Sequence, residues 1–233
     1  MTRIIMNGAN GHMGQVITQI VAGDDDCQIV AGIDPYTEQK NDYPVYAWPA
    51  ECDVDADVII DFSNAKAVDG LLDYAVEKQI PVVLCTTGLS DAQIEKVNET
   101  SKKVAILRSA NMSLGINTLF ELLGKATKVF ADAGFDVEIV EAHHNQKLDA
   151  PSGTAIALAD AVNEAADGKY TYIYDRHDRR QKRDPKEIGI SSIRGGNIVG
   201  EHEVIFAGDD EVITFKHQAT SKSVFAKGAV EAA

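Results

Sequence analysis

The sequence predicts an α/β protein in two parts: an N-terminal parallel sheet flanked by helices, then a second α+β part built on a mixed sheet. Three observations predict it. Short apolar runs alternate with helical stretches as far as about residue 111. Beyond that point strand-like runs follow one another with few helices between them. The chain, 233 residues and 45% hydrophobic, has enough apolar material for one large core or two small ones.

In the first part, residues 4–6, 29–33, 58–61, 82–85 and 104–107 read as strands. Met13, Val16, Ile17, Ile20 and Val21 recur at helical spacing between the first two strands. Val68, Leu71, Leu72, Ala75 and Val76 do so after the third, so each connection can bury one face on a parallel sheet. Gly23 reads as the stop of the first helix, and Ser90 with Gln93 as a capping box that opens a later one. The rhythm changes near residues 109–113, which gives a first domain of 1–111 and a second of 112–220. The second begins with a helix over 114–129 and a strand over 137–142, then a polar loop containing Gly and Pro and another helix. Runs at 188–193, 203–206 and 212–217 then suggest a mixed or antiparallel sheet. The last stretch, 221–233, reads as a helix that packs back on the first domain.

Charge and cysteine usage exclude whole classes of partner. A formal net charge of −14 repels a phosphate backbone, so nucleic acid is not expected. The one basic cluster, 176–186, is interleaved and flanked by Asp175, Asp178 and Asp184 and reads as a solvated loop. Cys27, Cys52 and Cys85 stand singly, without the pairing of a disulfide framework or a zinc site, which fits a reducing compartment. No signal-peptide pattern opens the sequence and no apolar run approaches ~18 residues, so the expectation is a cytoplasmic protein without a membrane span.

The first motif is Gly8-Ala9-Asn10-Gly11-His12-Met13-Gly14, placed directly between a strand and a helix. Glycines at such a bend let the backbone approach a diphosphate, and the unpaired amides of the helix start present positive charge to it. Asp34, at the end of the next strand, is placed to accept hydrogen bonds from an adenosine ribose. Strand, turn, helix and acid in this register describe a Rossmann-type dinucleotide-binding half. The carboxylate of Asp34, followed by Pro35 and with no arginine beside it, favours NADH over NADPH. Two further segments, Cys85-Thr86-Thr87-Gly88 and Ser109-Ala110-Asn111-Met112, lie at the C-terminal ends of strands, where such sheets bind ligands.

The densest chemistry is Glu141-Ala142-His143-His144-Asn145-Gln146-Lys147-Leu148-Asp149-Ala150-Pro151-Ser152-Gly153-Thr154-Ala155. It runs from an apolar strand to a helix start, so Gly153 and Thr154 can offer main-chain amides to a carboxylate, and Lys147 would add a full charge. His143 and His144, neighbours in an extended strand, point to opposite faces. With no H-E-x-x-H or C-x-x-C spacing beside them, no metal site is expected. His202 and His217 lie in strand patterns and read as structural.

This segment resembles the signature of the 4-hydroxy-tetrahydrodipicolinate reductases, formerly dihydrodipicolinate reductases, of lysine and diaminopimelate synthesis. Residues 8–14, Asp61-Phe62-Ser63, Thr86-Thr87-Gly88, the run from Ser109 to Gly115, and the run from Arg194 through Gly196 and Gly200 to His202 resemble that family's segments in its order. The resemblance implies a homotetrameric enzyme that reduces a cyclic, unsaturated imine dicarboxylate. It implies that His143 donates or accepts a proton, that Lys147 is a second proton donor, and that His144, Gly153 and Thr154 bind substrate. It also implies a cofactor lining of Gly8, Ala9, Asn10, Gly11, His12, Met13, Asp34, Cys85, Thr86, Thr87, Ser109, Ala110, Asn111 and Met112, with NADPH usable beside NADH. Cys85 stands where that family usually has glycine, and Lys222 where arginine is common. The chain ends at Ala233, where members generally continue into a further C-terminal segment. Two rivals share the nucleotide-binding half: another amino-acid-pathway dehydrogenase, and a catalytically silent dinucleotide sensor, which has no use for Lys147.

Overall fold

A computed structural model describes residues 1–233 and divides them into two compact units, 1–113 with 223–233, and 114–222. The first unit carries six parallel strands, β1 (Thr2–Asn7), β2 (Cys27–Ile33), β3 (Val45–Tyr46), β4 (Val58–Asp61), β5 (Val82–Leu84) and β6 (Ile106–Arg108). Their spatial order is β3-β2-β1-β4-β5-β6, the doubly wound arrangement in which the connections reverse direction between β1 and β4. That reversal opens a crevice at the carboxyl ends of β1 and β4. Helices α1 (His12–Val21), α2 (Ala65–Lys78) and α3 (Asp91–Thr100) cover the sheet, each with an apolar stripe turned inward, as Ile17, Leu71, Leu72 and Val97 show.

Local chemistry sets the helix ends. The side chain of Asn64 caps α2 by accepting from Lys66 N, and Ser90 with Gln93 forms the expected capping box of α3. Helix α1 ends at Val21, where the sequence places its stop: Ala22 caps it in an ordinary right-handed conformation, and Gly23 follows in the turn. Strand β3 escaped sequence reading because it is two residues long; only pairing with Gly32 and Ile33 makes it a strand. The final helix α6 (Ser223–Ala232) lies on α1, with Ala226 and Ala229 in the same core as Ile17 and Met112.

The second unit holds α4 (Leu114–Phe130), β7 (Asp136–His143), α5 (Gly153–Ala165), β8 (Thr171–Ile173), β9 (Glu187–Arg194), β10 (Gly200–Ala207) and β11 (Val212–Ala219). The sheet order is β11-β10-β7-β9-β8, antiparallel on one side of β7 and parallel on the other, which makes it mixed. Val137 and Ile139 of β7, Ile188 and Ile190 of β9, and Val204 and Phe206 of β10 form one face and bury against Leu123 of α4 and Leu158 and Val162 of α5. Alternation is cleanest in β10, where every second residue from Gly200 to Phe206 is buried.

The basic cluster is a loop, but only in part a solvated one: Arg180, Lys182 and Lys186 are exposed, whereas three arginines turn back onto the sheet. Arg176 grips Glu138 through two bonds of 3.0 and 2.7 Å, Arg179 grips Glu187 through two of 2.6 and 2.8 Å, and Arg183 bonds Glu138 and the main-chain carbonyl of Val137, each at 3.0 Å. Gly189 makes room for this latch, since a Cβ there would fall on the Glu138 carboxylate. Arg176, Arg179 and Arg183 are thus the partners of acids on β7 and β9.

Candidate active site

The glycine turn is built on positions where a side chain does not fit. Gly8 has φ +82° and a Cβ on it would stand 2.6 Å from Phe62 O, while a Cβ on Gly14 would collide with the carbonyl of Gly8. Helix α1 therefore starts tight against the turn, with Gly11 at its N-cap and no side chain capping it, so its first amides are left to a ligand. Asp34 is fixed beside the turn: one carboxylate oxygen accepts from Asn10 N at 3.0 Å, the other from Tyr36 N at 2.9 Å. A groove of about 340 Å³ runs along this edge, lined by Gly8, Gly11, Asp34, Trp48, Phe62, Lys66 and their neighbours. An uncapped helix start, a glycine cradle and a carboxylate in one groove fit a dinucleotide.

Beneath the turn lies a carboxyl group to which sequence reading gave no role. Asp61, fully buried, accepts from Asn7 Nδ2 and Ser63 Oγ on one oxygen and from Thr86 Oγ1 on the other, all at 2.6 Å. One side chain thus ties together the segments that follow β1, β4 and β5. Burial pushes its pKa up, against the bonds from Ser63, Thr86 and Asn7.

The expected cofactor residues divide by where their side chains go. His12 and Thr87 are exposed, and Gly8 and Gly11 line the groove. Ala9, Cys85 and Met112 turn their side chains into the core, so only main chain is left to meet a ligand there. Burial pushes the Cys85 thiol up to about 12, with Asp61 adding to the effect, which leaves it an inert packing group. The hydroxyl of Thr86 is committed to Asp61. The segment from Ser109 to Ser113 locks itself: Ser109 Oγ donates to Asn111 O at 2.8 Å, and Ser113 N donates to Asn111 Oδ1 at 2.9 Å.

In the second unit, register assembles the charged cluster. The helix-covered face of β7 is apolar at Val137 and Ile139 and continues, two residues at a time, into Glu141 and His143. Glu141 sits opposite His202 on β10 and Ser192 on β9, and His143 opposite Arg194. Glu141 is fully buried. It accepts from both terminal nitrogens of Arg194, at 2.8 and 2.7 Å, from Ser152 N at 3.1 Å, and from His143 Nδ1 at 2.6 Å. Burial alone would raise its pKa; Arg194 first, then Ser192, His143 and Ser152, override it and hold the carboxyl at about 2. An ionised Glu141 fixes the proton of His143 on Nδ1 and leaves Nε2 free to exchange one. Burial lowers the His143 pKa more than Glu141 restores it, so the ring is neutral near neutral pH. Gly200 keeps Nε2 clear, because a Cβ there would lie 3.1 Å from it.

Further contacts complete the cluster. Arg194 also donates to Asp149 O at 2.6 Å, which pins the segment after β7 to the end of β9. Lys147 is paired with Asp149 at 2.8 Å and is 22% exposed, and Ser152 caps α5 by accepting from Ala155 N. His202, buried in β10 as a strand histidine, packs against this cluster: its Nε2 lies 3.0 Å from Ser152 Oγ and its ring meets that of His143 edge-on at 5.1 Å. Burial, then His143, pushes its pKa down to about 4. His144 has left the strand and stands half-buried, apart from the buried His143, while Gly153 opens α5 with its face exposed. Sequence reading assigned no role to Arg194, because its partner Glu141 is 53 residues away and only strand pairing joins them.

A doubly wound sheet with a glycine turn and an acid at the end of its second strand, in a chain whose second unit carries a histidine, a lysine and a serine-capped helix start, defines an oxidoreductase of the Rossmann-type NAD(P)-binding class. The chain belongs to the dihydrodipicolinate reductase family, whose N-terminal model matches residues 2–112 and whose C-terminal model matches residues 115–233. It is 50% identical to the 4-hydroxy-tetrahydrodipicolinate reductase of Caldanaerobacter subterraneus over 100% of this chain and 92% of that one. It is 47% identical to that of Clostridium novyi over 100% of this chain and 91% of that one. Among solved structures it shares its fold with a dipicolinate-bound dihydrodipicolinate reductase from Paenisporosarcina sp. TG-14, at 24% identity and a TM-score of 0.80 over 99% of this chain and 92% of that one. An aspartate dehydrogenase from Thermotoga maritima has the fold in looser form, at 11% identity and a TM-score of 0.54 over 100% of this chain and 95% of that one. The rival dehydrogenase reading thus shares architecture with this chain, while sequence identity lies with the reductases.

Proposed function

We propose that the protein reduces 4-hydroxy-tetrahydrodipicolinate, by way of dihydrodipicolinate, to tetrahydrodipicolinate in the lysine and diaminopimelate route, with NADH preferred and NADPH accepted. The observation that carries the reading is the ionised Glu141 holding His143 in one tautomer next to Lys147 and the start of α5. The dipicolinate bound by the Paenisporosarcina relative is a planar dicarboxylate of the shape this cluster suits.

The turn at Gly8 and Gly11 and the first amides of α1 would hold the diphosphate, and Asp34 the ribose. A bound dinucleotide supplies hydride to the conjugated C=C–C=N unit of the substrate. Hydride arrival pushes electron density to nitrogen and then to carbon, and one proton must follow. Lys147 donates it, and neutral His143 accepts and returns protons through Nε2. The substrate carboxylates take the amides of Gly153 and Thr154 and the side chain of His144. Asp34 disfavours a 2′-phosphate, and Lys66 in the same groove supplies the cation that lets NADPH compete. The sheet face opposite the helices carries Val140, Ile193 and Ile205, with Ile193 52% exposed, and supports assembly into a homotetramer, which the mass in solution tests. The three buried free cysteines suit a cytoplasmic setting.

The test is NADH oxidation in the presence of enzymatically generated substrate. Rapid loss of reduced-nicotinamide absorbance is expected, with the KM for NADH below that for NADPH, and Asp34→Ala is expected to narrow that ratio by about tenfold. No oxidation with this substrate, or a clearly lower KM for NADPH, overturns the corresponding part.

A further inference from the structure

We propose that Trp48, the single tryptophan of the chain, is the platform on which the adenine ring of the dinucleotide stacks. The inference rests on the dinucleotide reading above and adds the side chain that grips the base. Trp48 is 61% exposed, just ahead of the 3-10 turn Pro49–Glu51. An indole left in water forgoes the burial that a large apolar ring otherwise gains, so an exposed one beside a groove is informative.

Its place follows from a chain of hydrogen bonds. Asp34 accepts from Asn10 N in the glycine turn, and Asp34 N donates to Tyr46 O at 2.9 Å, so the segment carrying Trp48 begins where the ribose site ends. The order along this edge is therefore phosphate site, ribose site, indole. Trp48, Ala47, Pro49 and Pro35 line the same groove as Ala67 and Gly70 from α2. Those two positions are small, and a Cβ placed on Gly70 would meet nothing within 4 Å, so open space stands above it. A broad aromatic face and small, non-filling positions in one groove form a slot for a flat ring. Stacking of a base on an aromatic side chain strengthens binding and makes no demand on the base's hydrogen-bonding edge.

Because no other tryptophan is present, its emission reports this surface alone. The intact enzyme is titrated with AMP, ADP-ribose and nicotinamide mononucleotide, which separate the two ends of the dinucleotide. AMP and ADP-ribose are expected to change the emission saturably and nicotinamide mononucleotide to leave it unchanged. By calorimetry, Trp48→Ala is expected to raise the Kd for NADH about tenfold, and Trp48→Phe to recover most of that loss. An emission blind to AMP, or a Trp48→Ala Kd within about twofold of the parent, overturns the platform while leaving the dinucleotide reading intact. A parent protein that binds neither NADH nor NADPH overturns that reading itself.

Discussion

The glycine turn of the first unit and the Glu141 cluster of the second both present a helix start to charge, but they are built by opposite means. The turn has no side-chain cap, and it works because Gly8 and Gly14 lack a Cβ. The cluster is all side chain: a buried carboxylate with an arginine, a histidine and a helix cap bonded to it, and a lysine close by. A site made of main chain is sensitive to volume and indifferent to charge. A site made of paired charges is sensitive to the loss of one partner, since the partner left behind stays desolvated.

The contrast is broken most directly at Lys147. Lys147→Ala should lower kcat by about 10²–10⁴-fold with little change in the Kd for NADH, because the proposed proton donor is removed and the turn is untouched. The residual turnover should fall as pH rises past the depressed His143 pKa, on a limb below 6.5. Near-normal turnover from this variant would end the proposed role of the cluster.

Glu141 gives the next largest effect. Glu141→Ala should cost about 3–5 kcal/mol of stability, read by denaturant unfolding, because Arg194 loses its buried counter-ion. In the parent, the Glu141 carboxyl is held at about 2 against an ordinary 4.5, so its contribution is complete above 4.5 and is lost as pH falls from 4.5 towards 2. Acid unfolding of Glu141→Gln should therefore begin from a lower stability but lose less across that window.

Gly14→Ala sharpens the other side. It adds one methyl and no charge, yet it should weaken NADH binding on the order of tenfold by moving the turn, while the pH profile of turnover at saturating cofactor stays that of the parent. The smallest effect is expected at the arginine latch. Arg183→Ala should lower stability by about 1 kcal/mol without altering kcat or the Kd for NADH, since its partners hold the sheet and touch neither site.

Much of this molecule was legible before any coordinates. Strands β1, β2 and β4, helix α4 and the capping box at Ser90 follow from short-range pattern, and the glycine turn and the segment from Glu141 to Thr154 are each one run of sequence. What escaped was whatever depends on a distant partner. Strands β3 and β8 are two and three residues long and exist only through their neighbours. Asp61 looked like no more than the end of a strand, and Arg176, Arg179 and Arg183 like charges in water. Cys85 and Met112 stand in segments of the right composition but face inward, because a strand end or a turn offers a ligand only one of its sides.

By itself, then, the sequence determined the order of the elements, the glycine turn with its following acid, and the histidine-lysine segment, since all of these are carried by neighbours along the chain. Tertiary structure alone decided the ionic state of Glu141, the tautomer of His143, the three segments tied by Asp61 and the placing of Trp48 in the groove with Asp34. Each of those depends on desolvation and on hydrogen bonds between residues brought together only when strands pair in register, and that is a property of the folded chain.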